Sequence, residues 1–240
     1  MNIAVIFAGG VGTRMKSKDL PKQFLIIHGK PILIRTVELF QNHKEIDAIV
    51  VVCNKNWVDY CIELLQKYKM DKVLTVVIGG VTGQDSIFNG LCAAEKIAKG
   101  KESIVLIHDG VRPLITEKTI TNNIVSVQKY GSAITCVPAK ETVLMINNKG
   151  IIECVPDRDT LRMARAPQSF WLKDILFAHR EAIAEGKHNY IDSATMMFDK
   201  GIKLRPVEGP YENIKITTPE DFFVLQSILN ARENQQIFNI

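Results

Sequence analysis

The chain has 240 residues, 46% apolar and 23% charged, and its 30 basic and 26 acidic side chains leave a net charge of +4. That ordinary mixture excludes wholesale disorder, a collagen repeat and a coiled coil, and a chain this long buries roughly 70–75% of its unfolded surface as one large domain. The mild positive charge suits small anions and gives no signal for nucleic acid.

Strands and helices alternate through the first half. Residues 3–7 form an apolar run ending in glycines, which reads as a strand buried on both faces. A helix is expected over 31–40 with Pro31 in its first turn, then a buried strand over 48–53. Helical spacing over 57–68 is followed by a strand over 73–78 and a helix over 85–99, with Ile87, Leu91, Ala94 and Ala98 on one face. A strand over 104–108 and a helix over 116–130 continue the rhythm. The pattern predicts an α/β fold, a mostly parallel, doubly wound sheet with helices on both sides.

The rhythm then breaks. After a strand over 133–137, two β-rich segments, 142–146 and 151–155, flank Asn147-Asn148-Lys149-Gly150. They predict a hairpin with a four-residue loop, projecting as an arm over about 140–157. Helices over 173–185 and 193–200, strands over 203–207 and 214–217, and a helix from Pro219 to about Ala231 complete the chain. No repeat or linker interrupts it, so residues 1–240 read as one domain. Five cysteines without C-x-x-C spacing read as free thiols of a reducing cytoplasm. The apolar run at the N-terminus is too short for a signal sequence, and no run is long enough to span a membrane.

The first strand leads into Ala8-Gly9-Gly10-Val11-Gly12-Thr13-Arg14-Met15. Ligands bind beyond the carboxyl ends of parallel strands, and consecutive N–H groups of a glycine loop make an anion nest. Arg14 stands where a P-loop counted from Gly9 needs glycine, and Met15 where a dinucleotide fingerprint needs one. Arg14, Lys16, Lys18 and Lys22 follow the glycines, and Pro21 helps to aim Lys22. Glycines with several cations suggest a triphosphate. The plainer reading is a glycine turn followed by a solvated basic loop.

AGGVGTRM with LPKQF resembles the start of the pyrophosphorylase-type cytidylyltransferases that act on methylerythritol phosphate or ribitol phosphate. Four further segments resemble the family in order: GGVTGQDSIFNGL (79–91), LIHDGVRP (106–113), RAPQSF (165–170) and YENIKITTPEDF (211–222). The resemblance implies catalytic roles for Arg14, Lys22, Arg158 and Lys215, the last two gripping the incoming phosphate. It implies nucleotide binding by Phe7, Ala8, Gly9, Gly10 and Gly12 on the first loop, and by Gly79, Gly80, Asp85 and Ser86 on the second. Asp109 would contact the ribose or hold Mg²⁺, which Mn²⁺ can replace. Three positions depart from the methylerythritol pattern: Gly83 stands in place of a usual Arg, and Ala166 and Ile191 in place of frequent threonines.

The implied reaction joins a polyol phosphate to CTP. A phosphomonoester, with a second pKa near 6, is already ionised at neutral pH, so its oxygen attacks the α-phosphorus without a general base. The protein's task is positioning and charge neutralisation. AGG at 8–10, HDG at 108–110 and the C-terminal ARENQQIF resemble the cytidylyltransferase half of bifunctional CDP-ribitol synthases. They lean toward ribitol 5-phosphate as acceptor, with methylerythritol phosphate as the alternative. Since this chain ends at Ile240, a reductase supplying ribitol 5-phosphate is expected as a separate protein.

The resemblance also implies a homodimer formed by exchange of the arms, with Arg158 serving the neighbour's site. Plainer readings stand beside these. Asp109 could cap a turn at Gly110, Lys215 could face water, and Arg158 could pair locally within Asp157-Arg158-Asp159. A non-catalytic nucleotide-binding module is the reading from another class. An oxidoreductase is disfavoured by Met15.

Overall fold

The computed structural model describes residues 1–9 and 20–238. Strand β1 (Asn2–Ala8) is followed by a small hairpin of β2 (Ile26–Ile27) and β3 (Lys30–Pro31), then by α1 (Ile32–Gln41). Next come β4 (Ala48–Cys53), α2 (Val58–Lys67), β5 (Val73–Ile78), α3 (Gly83–Ala98), β6 (Ile104–Asp109), α4 (Glu117–Tyr130) and β7 (Ser132–Pro138). The arm strands β8 (Met145–Ile146) and β9 (Ile152–Cys154) pair only with each other. The chain closes with β10 (Arg162–Trp171), α5 (Leu172–Ala184), α6 (Ser193–Asp199), β11 (Pro206–Glu208) and α7 (Pro219–Phe238).

Seven strands form one sheet in the order β11-β7-β10-β6-β1-β4-β5. All neighbours are parallel except β10, which runs antiparallel to both β6 and β7. The central strands are apolar on both faces, as expected for strands sandwiched between helices. Ala4 and Ile6 of β1 and Ile49 and Val51 of β4 pack on one side with Leu33 and Phe40 of α1, Leu64 of α2 and Ile124 of α4. Ile3, Val5, Val50 and Val52 pack on the other side with Leu91 of α3, Ile175 of α5 and Met196 of α6. Gly90 lets α3 approach closely, since a Cβ there would lie 2.5 Å from Val5 Cγ1 and 2.7 Å from Val52 Cγ2.

The mostly parallel sheet is as the sequence predicts. Five local expectations need correction. The longest strand, β10, was not foreseen, because Pro167 inside it reads as a strand breaker. Its pairing register shifts between Ala164 and Gln168, which spans that proline. Residues 214–217 form no strand. The Asp221 carboxylate instead accepts from the N–H groups of Thr217 and Thr218, both at 2.8 Å, and so starts α7, which runs to Phe238 rather than to about Ala231. Pro31 precedes α1 as its cap and ends β3. The arm loop is longer than four residues because Asn147 Oδ1 accepts from the N–H groups of both Lys149 and Ile151.

Candidate active site

The site gathers at the carboxyl ends of β1, β4 and β6. Gln23, buried in a 3₁₀ turn over Lys22–Phe24, donates from Nε2 to the Ala8 carbonyl at 2.7 Å. That bond sets the turn against the end of β1 and brings Lys22 to the cavity wall.

The loop after β5 is folded by its own side chains. Gly79 N–H donates to the Cys53 carbonyl at 2.8 Å, and Gly80 N–H to Ser86 Oγ at 3.0 Å. Ser86 Oγ donates in turn to the Thr82 carbonyl. Thr82 and Asp85 form a reciprocal capping box that starts α3. A Cβ on Gly80 would fall 2.2 Å from Asp85 Cβ, so only glycine fits that bend.

Two adjoining cavities open here. The first, about 340 Å³, lies among Phe7, Ala8, Gly9, Lys22, Gly80 and Ser86. The second, about 300 Å³, extends under β10, α5 and α6. Phe7, Gly83, Asp109 and Lys215 line both and form the seam between them. Gly83 begins α3, so the positive end of that helix dipole faces the seam.

Asp109 is 5% exposed and sits between two cations. Arg112 Nε donates to its Oδ2 at 2.7 Å, and Lys215 Nζ stands 2.6 Å from its Oδ1 as an ion pair without an aligned hydrogen bond. Burial pushes the carboxyl's pKa up, but Lys215 and then Arg112 outweigh it and hold it below the usual carboxylate value. Lys215 also lies 5.7 Å from the centre of the Phe7 ring. The Asp109 carboxylate thus faces two cations, and the Lys215 side chain, 42% exposed, turns its Nζ to Asp109. His108 packs against Phe40, and burial lowers its pKa to about 4, so it is a neutral core residue.

The second cavity is walled by segments far apart in the chain. Arg112 Nη1 donates to the Asn213 carbonyl at 2.8 Å, and Asn213 Nδ2 to the Ala166 carbonyl at 3.1 Å. Gln168 bridges β10 to α6, donating to Asp192 Oδ2 at 2.9 Å and accepting from Ala194 N–H at 2.8 Å. Gln84 ties α3 to the loop before α6 through the Lys187 carbonyl and the Tyr190 N–H.

Of the residues singled out in the sequence, Phe7, Ala8, Gly9, Lys22, Gly80, Ser86, Asp109 and Lys215 surround the first cavity. Gly79 and the Asp85 carboxylate shape the loop beside them. Gly10, Gly12 and Arg14 lie outside the described residues. Arg158 lines neither cavity; it is exposed in a 3₁₀ turn and donates to the Lys140 carbonyl at 3.3 Å. The three departures, Gly83, Ala166 and Ile191, all line the second cavity. Sequence reasoning missed Gln84, Arg112, Gln168 and Asn213, although each lies inside a quoted segment, and missed His179. Among the described residues no helix is long and apolar enough to cross a membrane, and no three His, Cys, Asp or Glu side chains cluster to hold a metal.

The family described as 2-C-methyl-D-erythritol 4-phosphate cytidylyltransferase, IspD, matches residues 2–231. A ribitol-5-phosphate cytidylyltransferase of Streptococcus agalactiae serotype III is 54% identical, covering 100% of both chains. One of Vibrio parahaemolyticus is 50% identical, covering 99% of this chain and 100% of its own. A crystal structure of the 4-diphosphocytidyl-2C-methyl-D-erythritol synthase from Anaerococcus prevotii superposes with a TM-score of 0.82 at 31% identity, covering 95% of this chain and 96% of that one.

Proposed function

Because the chain belongs to the IspD family of cytidylyltransferases, we propose that it transfers the cytidylyl group of CTP to D-ribitol 5-phosphate, releasing pyrophosphate. The observation that carries the acceptor is the position of the departures. Gly83, Ala166 and Ile191 all line the second cavity, and of the three only Gly83, on the seam, also lines the first. A changed acceptor beside an unchanged nucleotide produces that distribution. The full-length relatives at 50–54% identity, named for ribitol 5-phosphate, support it.

In this reading CTP occupies the first cavity, its base and ribose against the Gly80–Ser86 loop and its phosphates toward Lys22 and the glycines after β1. The acceptor occupies the second cavity with its phosphate at the seam. Lys215 meets that phosphate, while Asp109 and Arg112 hold the lysine in place before the substrates arrive. Preorganised cations of this kind stabilise the charge that builds up as the phosphate oxygen attacks in line. No proton has to be moved.

A divalent cation, Mg²⁺ or Mn²⁺, would be held mainly by the triphosphate and water, with Asp109 as the protein's contribution. One buried carboxylate on both cavities fits an ion that keeps most of its ligands from phosphate and solvent. Bound there, it supplies neutralisation of phosphate charge.

The arm carries seven exposed large apolar side chains, among them Leu144, Met145, Ile146 and Ile152. An isolated two-stranded hairpin is marginal in water, so a partner surface is called for. We read the protein as a homodimer that exchanges these arms. This accounts for Arg158 standing apart from the cavities of its own chain. The five cysteines, none in a disulfide, support a reducing cytoplasm as the place of action.

The deciding experiment is pyrophosphate release with CTP and a panel of polyol phosphates. D-ribitol 5-phosphate is expected to give the highest kcat/KM. The family's own description favours a second reading, 2-C-methyl-D-erythritol 4-phosphate, and a higher kcat/KM with that acceptor would establish it instead.

A further inference from the structure

The second cavity contains buried polar groups that the reaction derived above does not use. His179, on α5, is 1% exposed, and neither ring nitrogen has a hydrogen-bond partner among the described residues. Ser193, the first residue of α6, is 2% exposed, and its Oγ also lacks a partner among them. Both line the second cavity and neither lines the first. Native structures rarely leave buried polar atoms unpaired, and a pair of such residues on one cavity marks where a ligand completes the bonding.

The chemistry of the pair narrows the ligand. Burial lowers the His179 pKa to about 4, so at neutral pH the ring is uncharged, with one nitrogen donating and the other accepting. The Ser193 hydroxyl also does both. The cations of this cavity, Arg112, Arg165 and Lys215, suit the acceptor's phosphate; a carbonyl only accepts, but a hydroxyl gives and takes as His179 and Ser193 do. Phe88 stacks on the imidazole, centroids 5.8 Å apart and planes inclined by 22°, which fixes the ring's orientation. The acceptor's phosphate belongs at the seam, since its oxygen attacks CTP. The unphosphorylated end therefore points away from the seam, toward the walls built by α5 and α6.

We propose that His179 and Ser193 form a hydroxyl-reading subsite for the unphosphorylated end of the acceptor, selecting a polyhydroxylated tail over a shortened or methyl-bearing one. The inference deepens the reading of the acceptor as ribitol 5-phosphate and rests on it.

Steady-state kinetics with D-ribitol 5-phosphate and its 1-deoxy and 2-deoxy analogues test it. A site built to bond a hydroxyl rejects the analogue that lacks it by far more than an apolar pocket rejects a missing methylene. The wild type is expected to lose about 10²-fold or more in kcat/KM on one of the deoxy acceptors, mostly through KM. His179→Phe and Ser193→Ala are each expected to lose about 10-fold or more with the parent acceptor, to keep the KM for CTP, and to discriminate less between parent and deoxy acceptors. His179→Gln, which retains a donor and an acceptor, recovers part of the loss.

Variants with wild-type kcat/KM, or variants that lose activity yet reject the deoxy acceptors as strongly as before, overturn the subsite. Should His179→Phe not fold, Ser193→Ala removes a single atom and completes the comparison. A wild type that prefers ribitol 5-phosphate but is indifferent to the deoxy analogues overturns the subsite alone. A wild type that prefers 2-C-methyl-D-erythritol 4-phosphate overturns the acceptor reading and the subsite together.

Discussion

The two cavities meet at four residues and are built in opposite ways. The first, proposed for the nucleotide, is shaped by a main-chain bend. Gly79 and Gly80 bend under the grip of Ser86, Thr82 and Asp85, and the residues that shape the bend lie within seven positions of each other. The second, proposed for the acceptor, is lined by residues that arrive from β6, β10, α5, α6 and the segment before α7. A ligand shared by a whole family can be read by backbone, which substitutions do not erase. A ligand that differs between branches is read by side chains, which they do.

The largest effects should fall on two lysines, Lys215 at the seam and Lys22 on the first cavity. Lys215→Ala and Lys22→Ala are each expected to lower kcat by about 10²-fold or more, the scale for one preorganised transition-state donor. Stopped-flow measurement of pyrophosphate release would show it. A raised KM with unchanged kcat would assign the lysine to ground-state binding alone.

Exchange between subunits comes next. Arg158→Ala and Lys22→Ala are expected to be inactive separately and to recover about a quarter of wild-type activity when mixed and allowed to equilibrate, because half the dimers are mixed and each holds one intact site. Recovery of nothing would return Arg158 to its own subunit. A monomer by sedimentation at assay concentration would remove the arm exchange altogether.

Gly80→Ala sharpens the comparison from the nucleotide side. The 2.2 Å approach to Asp85 Cβ forces the loop to shift, at a cost of about 1–3 kcal/mol by the usual scale of overpacking. Calorimetry is expected to show weaker CTP binding and a lower Tm. The KM for the acceptor should stay near its wild-type value, and a matching rise there would mean that the loop serves both cavities.

A further effect is one of pH. His108 and His179 are held near pKa 4, against an ordinary 6.5, chiefly by burial. The unfolded chain therefore takes up protons first, and stability falls as the pH drops from 6.5 toward 4. Urea midpoints measured at pH 7 and pH 5 should show the loss. His179→Phe should remove about half of the difference, since one of two similarly shifted groups is gone. Asp109 acts lower on the scale. Its contribution is complete above the unfolded carboxyl value of 3.8 and is lost as the pH falls through its depressed folded value.

The same contrast explains what could be read in advance. Apolar runs such as 48–53 and 104–108 gave the parallel strands, since a strand buried on both faces has no alternation to lose. The bend at Gly79–Gly80 and the Asp85–Ser86 pair beside it lie in one quoted segment, because a bend held by its near neighbours leaves a local signature. β10 was hidden by Pro167, and residues 214–217 by a β-like pattern whose N–H groups Asp221 claims. Arg112 stood in plain view beside Asp109, but only the fold reveals that it spans to Asn213. His179 left no trace. A lone histidine on a helix face becomes interesting only once its surroundings are seen to leave it without a partner.

The tie from Arg112 through Asn213 to residue 166 has one more consequence. Both of its long-range bonds end on main-chain carbonyls, those of Asn213 and Ala166. The frame of the acceptor wall is thus blind to which side chain stands at 166, and threonine or alanine can occupy it with the bracing unchanged. Evolution could trade one sugar alcohol for another by repainting the wall while the studs stayed where they were. A lineage crossing between the two chemistries would not have had to pass through an unfolded ancestor.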